Sequence, residues 1–261
     1  MKSISTPSPF QIAFPNGHIA HAVRMHRAMD INAMSSLLEN AGLALAQPTL
    51  VLVGGASGIS DTCFQRLEFL FREILAPLME SVGGVVVDGG TDAGVMKLMG
   101  EAHQATHSTF PLVGVAAIGT VVLPGKEDSA AEHSAPLEPH HTHFALVPGL
   151  LWGDEAPWIA NVATALTSDA PSVTLLVNGG RIALQDAFNS VRVGRPVYVV
   201  DGSGRTADEL AAAVRGESVS DRAIELAQSG LIQAISLRHD PSDLTNLLAS
   251  QLSLHPNAVS G

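Results

Sequence analysis

Four glycine-rich turns follow apolar segments of the chain, and they hold the residues best suited to binding chemistry. They are GGASG at 54–58, DGGTDAG at 88–94, NGGR at 178–181 and DGSGR at 201–205. Glycines let a backbone approach a ligand closely, and the amides and dipole of a following helix favour an anion there. Together the turns indicate a site for a phosphate or diphosphate, although each one alone is also compatible with a purely structural tight turn.

Two of these turns carry an arginine, in a chain with only 14 basic residues. Arg205 is expected to open a helix, where a positive side chain opposes the helix dipole. An anionic ligand beside it would remove that conflict, and so would an ion pair with Asp201 or Asp208. The sequence leaves both interpretations open, for Arg181 as well as for Arg205.

Short apolar strands alternate with helices between the turns, which predicts a Rossmann-like α/β fold with a doubly wound, mostly parallel sheet and helices on both faces. Strands are expected at 49–53, 84–87, 112–118, 143–147, 173–177, 196–200 and 231–237. Helices are expected at 31–46, 61–82, 156–168, after each later glycine turn, and from residue 240. Right-handed crossovers bring the carboxyl ends of parallel strands to one edge, so the four turns should meet there.

The chain reads as one domain with three parts. Residues 1–48 hold a β-ribbon around PNG and a helix, residues 49–240 form the core, and residues 241–261 form a terminal helix and tail. Residues 126–138 are polar and aperiodic, which predicts an exposed loop or lid.

Composition excludes several classes of protein. The formal charge of −11 disfavours nucleic acid as a partner. No apolar stretch has the roughly 20 residues that a transmembrane helix needs, and the N-terminus lacks a signal-peptide core, so we expect a cytoplasmic protein without a membrane partner. Neither a dinucleotide fingerprint nor a P-loop motif is present, which disfavours NAD-dependent hydride transfer and ATP hydrolysis.

A histidine cluster at 140–143 raises the question of a metal. His141 and His143 would share a face if both lay on a strand. A zinc site needs three or four converging ligands, and no second cluster is evident, so these two histidines are weak candidates and no metal is predicted. The expected role is structural, with His143 forming a hydrogen bond near the start of a strand beside the pocket.

Five motifs in order resemble the SLOG superfamily, and in particular the N-terminal homology region of TRPM channels and its stand-alone prokaryotic relatives. They are LVLVGGASG, VDGGTDAGV, HHTHFALV, NGGR and DGSGRTADELA. The resemblance covers roughly residues 10–215. It implies a pocket for a nucleotide-derived ligand such as ADP-ribose or cyclic ADP-ribose, with no further cofactor required.

The resemblance and the turns together define a predicted ligand site. By position in the family, the turn at 89–91 would contact phosphate or ribose, the turn at 202–205 would hold the diphosphate, and Trp152 would stack on a base. The predicted ligand-binding residues are Gly54, Gly55, Ser57, Gly89, Gly90, Thr91, Asp92, Gly94, Trp152, Gly179, Gly180, Arg181, Gly202, Ser203, Gly204 and Arg205.

One departure from the superfamily weakens the case for an enzyme. The "Lonely guy" enzymes carry a P-G-G-x-G-T-x-E-E motif, and NGGRIALQD places Gln185 at the first glutamate and Asp186 at the second. A neutral amide cannot act as a general base. Asp92 and Asp186 remain candidate catalytic carboxylates for a nucleotide or N-glycosidic hydrolase, Asp88 is ambiguous, and ligand binding without turnover is favoured. Family members often associate, so a homo-oligomer is also expected, with the N-terminal ribbon and C-terminal helix as a possible interface.

Overall fold

The computed structural model describes residues 8–56, 58–126, 134–237 and 240–253. Its strands are β1 (Phe10–Ala13), β2 (Ile19–Arg24), β3 (Thr49–Gly54), β4 (Val85–Asp88), β5 (Leu112–Ala117), β6 (Val121–Val122), β7 (Ala135–Pro136), β8 (His143–Val147), β9 (Ser172–Val177), β10 (Val197–Asp201) and β11 (Ile232–Ser236). Its helices are α1 (Ile31–Asn40), α2 (Asp61–Phe69), α3 (Ala76–Val82), α4 (Gly94–Ala105), α5 (Ala156–Thr167), α6 (Arg181–Arg192), α7 (Arg205–Val214), α8 (Asp221–Gln228) and α9 (Pro241–Leu252), with a π-helical segment, Leu70–Leu75, joining α2 to α3.

Nine strands form the central sheet in the order β1-β2-β8-β5-β4-β3-β9-β10-β11. Only β1 and β2 pair antiparallel, as the predicted hairpin, and every other neighbouring pair in this sheet is parallel. The Rossmann-like fold class predicted from the strand and helix pattern is therefore confirmed.

Helices cover both faces of the sheet because alternate strand residues are apolar on each side. Along β3, Val51 and Val53 belong to the core on one face, which includes residues of α1, α5, α6, α7 and α8. Leu50 and Leu52 belong to the core on the other face, which includes residues of α2, α3, α4 and α9. Strands buried on both faces read as continuous apolar runs. Within the described residues, no helix combines the length and hydrophobicity that crossing a bilayer would demand.

One helix boundary differs from the sequence prediction, and one helix was not predicted. The helix expected at 31–46 ends at Asn40, because Gly42 adopts φ +97° and the amides of Gly42 and Leu43 donate to the carbonyls of Glu39 and Leu38. Such a left-handed glycine closure satisfies the last carbonyls of a helix. The helix α8 was not predicted, although Ser220 caps its first turn by accepting from the amide of Ala223.

The segment predicted as an exposed loop at 126–138 is only partly so. Residues 127–133 lie outside the described residues, but β7 pairs with β6 and the side chain of Glu138 is buried. The apolar face of α9 is also not free for an interface. Its leucines are buried in the core of this chain: Leu244, Leu248 and Leu252.

Candidate functional site

The glycine turns that follow β3, β9 and β10 adjoin one another at the carboxyl edge of the sheet. A Cβ atom built on Gly54 would overlap the carbonyl oxygen of Val177, so the first turn touches the end of β9. A Cβ built on Gly180 would lie 2.8 Å from the Arg205 guanidinium, so the third turn touches the fourth. The expected convergence of these turns is present, and part of their glycine content serves contacts between turns rather than contacts with a ligand.

The glycine pair after β4 has a similar packing role. The chain leaves β4 over the face of the sheet, and a Cβ on Gly90 (φ +65°) would lie 2.8 Å from the Cα of Gly114 on β5. Only glycine permits both the positive φ and this close crossing of two backbones. The neighbouring Gly89 and Thr91 still reach the open side of the edge.

A cleft of about 390 Å³ opens at this edge. Its size lies within the range of small-molecule sites. It is lined by Leu52, Val53, Gly54, Gly55, Gly89, Thr91, Met96, Trp152, Glu155, Ile159, Gly179, Gly180, Arg181, Ile182, Ala183, Asp186 and Arg205. Nine predicted ligand-binding residues are in this lining: Gly54, Gly55, Gly89, Thr91, Trp152, Gly179, Gly180, Arg181 and Arg205.

Six predicted residues do not line the cleft: Gly90, Asp92, Gly94, Gly202, Ser203 and Gly204. The amides of Gly202 and Gly204 donate to Asp208 Oδ1 at 2.7 and 3.0 Å, which leaves them engaged rather than open to a diphosphate. Asp92 pairs with Lys97 at 3.2 Å, outside the cleft. Ser57 lies outside the described residues.

The two arginines of the turns are both exposed and line the same cleft. Neither forms an ion pair with any residue that the structure describes. The carboxylates that could have neutralised Arg205 are engaged elsewhere, since Asp201 pairs with Arg215 at 2.9 Å and Asp208 accepts the two glycine amides. Arg205 also begins α7 with φ +52°, a backbone conformation that is uncommon for a residue other than glycine.

Asn178 fixes the relative position of the third and fourth turns. It is buried and has φ +53°. Its backbone N–H donates to Ser203 Oγ at 2.8 Å, and its side-chain amide donates to Ser203 O at 2.7 Å. The sequence prediction named Ser203 as a ligand contact and did not single out Asn178. A polar residue ending an apolar strand just before a double glycine was the available signal.

A pair of carboxyl side chains, Glu155 and Asp186, lines the cleft beside Trp152. We call it the cleft acid pair. Asp186 is buried, and its Oδ1 has no hydrogen-bond partner among the described residues. Burial and then the charge of Glu155 raise the pKa of Asp186 to about 8. Two carboxyls that share a site in this way ionise one after the other.

Glu155 is the member of the pair that the sequence prediction missed. It stands just before α5, and both of its carboxylate oxygens accept from the amide of Gly153, at 3.1 and 2.9 Å. Burial raises the pKa of Glu155, and the amides of Glu155 and Gly153 oppose that rise. An acidic residue at a helix start beyond a strand was a usable signal, but its partner 31 positions later could not be inferred from spacing.

A second buried group of charges lies behind the turn that follows β4. His141 donates from Nε2 to Asp88 Oδ1 and from Nδ1 to Glu138 Oε2, both at 2.8 Å, and His140 Nδ1 lies 2.6 Å from Glu138 Oε1. We call Asp88, Glu138, His140 and His141 the histidine-bridged cluster. Asp88 Oδ1 also accepts from the amide of Gly90, so the cluster holds this turn in place.

Electrostatics explains why these charges are tolerated in the interior. Burial lowers the pKa of His141, but the charges and hydrogen bonds of Asp88 and Glu138 outweigh it and raise that pKa to about 9. Burial raises the pKa of Glu138, but the bonds from both histidines and the charge of His141 leave it below its usual value. At neutral pH the imidazolium therefore lies between carboxylates, and Asp88 does not line the cleft.

The two histidines considered for a metal lie in different surroundings. His141 has both ring nitrogens engaged, whereas His143 on β8 stacks on His21 with ring centroids 5.6 Å apart. His143 Nδ1 lies 2.8 Å from Thr142 Oγ1, which confirms the predicted hydrogen bond, but His143 is not part of the cleft lining. His141 precedes β8, so the condition for a shared face, that both histidines lie on a strand, is not met. Across the described ranges, no group of three or more His, Cys, Asp or Glu is arranged to hold a metal.

Comparison with known proteins gives one family match. Residues 47–246 match the family model described as SLOG in TRPM, prokaryote. This range contains all four glycine turns and every residue of the cleft lining, and it confirms the resemblance drawn from the motifs.

Among curated proteins, the chain is similar to parts of TRPM channels. It is 28% identical over 224 residues to "Transient receptor potential cation channel subfamily M member-like 2" of Nematostella vectensis, covering 71% of this chain and 14% of that protein. It is 26% identical over 224 residues to subfamily M member 2 of Mus musculus, covering 73% and 15%. It is 25% identical over 233 residues to subfamily M member 6 of Homo sapiens, covering 77% and 11%. The chain thus spans only a small fraction of the length of each of these relatives.

Proposed function

Since the chain belongs to the family described as SLOG in TRPM, prokaryote, we propose that its cleft binds a nucleotide-derived ligand of the ADP-ribose class. ADP-ribose, cyclic ADP-ribose and related NAD metabolites are the ligands to be tested first. The ligand is the only small molecule that this function needs, and no further cofactor is proposed. Binding, without turnover, is the proposed activity.

The observation that carries this proposal is the position of two arginines in one cleft with an aromatic ring, neither arginine having an ion-pair partner in the described part of the chain. Arg181 and Arg205 offer guanidinium groups to a diphosphate, and no side chain caps the N-terminus of α6, whose first amides face the same edge. Guanidinium forks bind phosphate oxygens through paired charge-assisted hydrogen bonds. Trp152, 42% exposed, offers an indole face on which a base can stack.

Isothermal titration with ADP-ribose, cyclic ADP-ribose, NAD and AMP tests the proposal, using Arg205→Met and the matched control Arg215→Met. Arg215 closes the same helix but pairs with Asp201 and Glu217 outside the cleft. A charge-assisted hydrogen bond contributes about 1.5–3 kcal/mol, so Arg205→Met should weaken binding about tenfold or more, and Arg215→Met should leave it unchanged. The proposal fails if the unaltered protein binds none of the four ligands at millimolar concentration.

Hydrolysis of such a ligand is a second candidate function, favoured by the presence of Asp186 in the cleft. A carboxyl group with a raised pKa can protonate a leaving group, and Glu155 can remain ionised nearby. Asp92, the other candidate from the sequence, lies outside the cleft and pairs with Lys97. Chromatography after incubation distinguishes the two functions, because intact ligand excludes turnover and loss of turnover in Asp186→Ala supports it.

We also propose that the protein is a homo-oligomer in the cytoplasm. The apolar face of α9 is buried within the chain, so the edge strand β1 of the ribbon is the remaining predicted contact. An unpaired edge offers free backbone amides and carbonyls for pairing with another chain. Analytical ultracentrifugation of the protein and of a Gln11→Pro variant tests this, because Gln11 is exposed and its register opposite His21 turns its amide away from β2, and a monomeric unaltered protein would exclude the oligomer.

A further inference from the structure

The cleft is lined by side chains of opposite chemical character. Arg181 and Arg205 bring positive charge at the starts of α6 and α7. Glu155 and Asp186 stand in the same lining beside Trp152, with no histidine, lysine or arginine bonded to either carboxyl group among the described residues. A ligand that fills the cleft must therefore satisfy two carboxyl groups as well as two guanidinium groups.

Asp186 is the less satisfied of the two acids. It lies on the inner side of α6, 6% exposed, with Oδ1 enclosed and without a partner in the described part of the chain. Glu155 differs because the amide of Gly153 donates to both of its oxygens. Hydrogen bonds donated by an amide stabilise the ionised form of a carboxyl group. Glu155 therefore ionises before Asp186, and its negative charge favours the protonated form of Asp186.

Among the described residues, no cation is close enough to Asp186 to favour its ionised form. Burial and Glu155 both raise its pKa, and Asp154, next to Glu155, adds a like charge at the start of α5. Arg195, between α5 and α6, donates to Ala160 O, Thr164 Oγ1 and Ser172 Oγ rather than to Asp186. Arg181 and Arg205 line the cleft but are exposed, and neither forms an ion pair with Asp186 in the described part of the chain.

We propose that Asp186 binds the ligand as a neutral carboxylic acid that donates its proton to a hydroxyl oxygen of the ligand's sugar, while ionised Glu155 accepts from a hydroxyl of the same sugar. A sugar hydroxyl both donates and accepts, so a pair of hydroxyls matches one neutral and one ionised carboxyl. Phosphate, which only accepts at neutral pH, is directed to the arginines and repelled by Glu155. This inference rests on the proposed function and names the part of the ligand that the cleft acid pair recognises.

Titration of ADP-ribose into the protein at pH 6.5, 7.5, 8.5 and 9.5 tests the inference. The diphosphate of ADP-ribose is bridged on both sides and does not titrate over this range. Binding that needs the Asp186 proton should be constant below pH 7.5 and should weaken, by up to about tenfold for each further pH unit, once Asp186 ionises near pH 8. Asp186→Asn keeps a neutral side chain with a donor, so its affinity should stay within about threefold of the unaltered protein at pH 6.5 and should not follow the Asp186 titration.

The paired pH series separates Asp186 from other groups that titrate in the same range. His141, with its pKa near 9, is present in both proteins and cancels in the comparison. Equal pH profiles in the two proteins, or a loss of affinity in Asp186→Asn as large as in Asp186→Ala, would overturn the inference. If binding still depends on Arg205 in that case, the proposed function stands and only the role of Asp186 falls. Absence of ADP-ribose binding at every pH would end both.

Discussion

The histidine-bridged cluster and the cleft acid pair place carboxyl groups in the same domain under opposite conditions. Asp88 and Glu138 share a buried imidazolium that donates to each of them at 2.8 Å. Glu155 and Asp186 share no cation among the described residues. Asp88 Oδ2 and Asp186 Oδ1 are each buried without a hydrogen-bond partner in the described residues, so the two regions differ in the imidazolium rather than in that oxygen. Buried charges with a partner of opposite sign can be held at a small net cost, whereas unpaired ones keep their protons instead. The first group therefore stabilises a turn, and the second remains available to a ligand.

Removal of the shared cation is expected to cause the largest change in the free energy of unfolding. His141→Ala leaves Asp88 and Glu138 buried without their common partner, and breaking a buried ion pair in this way costs about 3–5 kcal/mol. Urea unfolding at pH 7 measures the loss, with His26→Ala, a half-buried histidine outside the cluster, as the control. A loss below about 1 kcal/mol in His141→Ala would mean that the cluster does not stabilise the fold.

The same substitution at the two aspartates should change stability in opposite directions. Asp88→Asn removes a charge that pairs with His141 and should lower the free energy of unfolding by about 2 kcal/mol at pH 7. Asp186→Asn should raise it by about 2 kcal/mol at pH 7, because the amide removes the cost of keeping a proton that the unfolded chain has lost. The folded pKa of Asp186 lies above its unfolded value, so its contribution to stability is complete below pH 3.8 and is lost as pH rises towards 8.

Urea unfolding of both variants at pH 4 and pH 7 measures these two changes. The gain in Asp186→Asn should shrink at pH 4, because the folded chain keeps the Asp186 proton there and the unfolded chain, with its ordinary pKa of 3.8, is already close to half protonated. A change of the same sign at both positions would remove the distinction between the two regions.

The smallest expected effect is an alkaline loss of stability that comes from the histidine-bridged cluster. The folded pKa of His141 is raised from 6.5 to about 9, so its contribution is complete below pH 6.5 and disappears as pH rises through 9. We expect about 1–2 kcal/mol between pH 7 and pH 9.5 in urea unfolding. His141→Gln should lack this component, and an unchanged slope in that variant would assign the alkaline loss to other groups.

Much of the fold could be predicted because strand and helix patterns are local. The strand His143–Val147 was predicted residue by residue, and the strands β3, β9 and β10 were placed within one residue. The end of α1 was misplaced because the apolar spacing continues past Asn40, while the left-handed Gly42 closes the helix through its backbone. Periodicity reports which face is apolar and does not report where a backbone hydrogen-bond pattern stops.

The candidate site could be predicted only in part. The turn glycines, Trp152, Arg181 and Arg205 were named and lie together around the cleft. Asp88 and Asp92 looked equivalent to Asp186 as carboxylates near glycines, yet one bonds to a buried histidine and the other to an exposed lysine. Glu155 and Asn178 were not predicted because the residues they act on, Asp186 and Ser203, are distant from them in the sequence.

The sequence by itself determined the parallel sheet, the order of its elements and the presence of several glycine turns at its carboxyl edge, because these follow from short-range apolar spacing and from the direction of parallel strands. Tertiary structure alone decided which acidic side chains pair with a positively charged side chain and which do not. Asp88 meets His141 across 53 positions of chain, whereas Asp186 meets Glu155 and no cation. Burial and the distance to other charges set the charge of a carboxyl group, and neither can be read from the residues adjacent to it in the sequence.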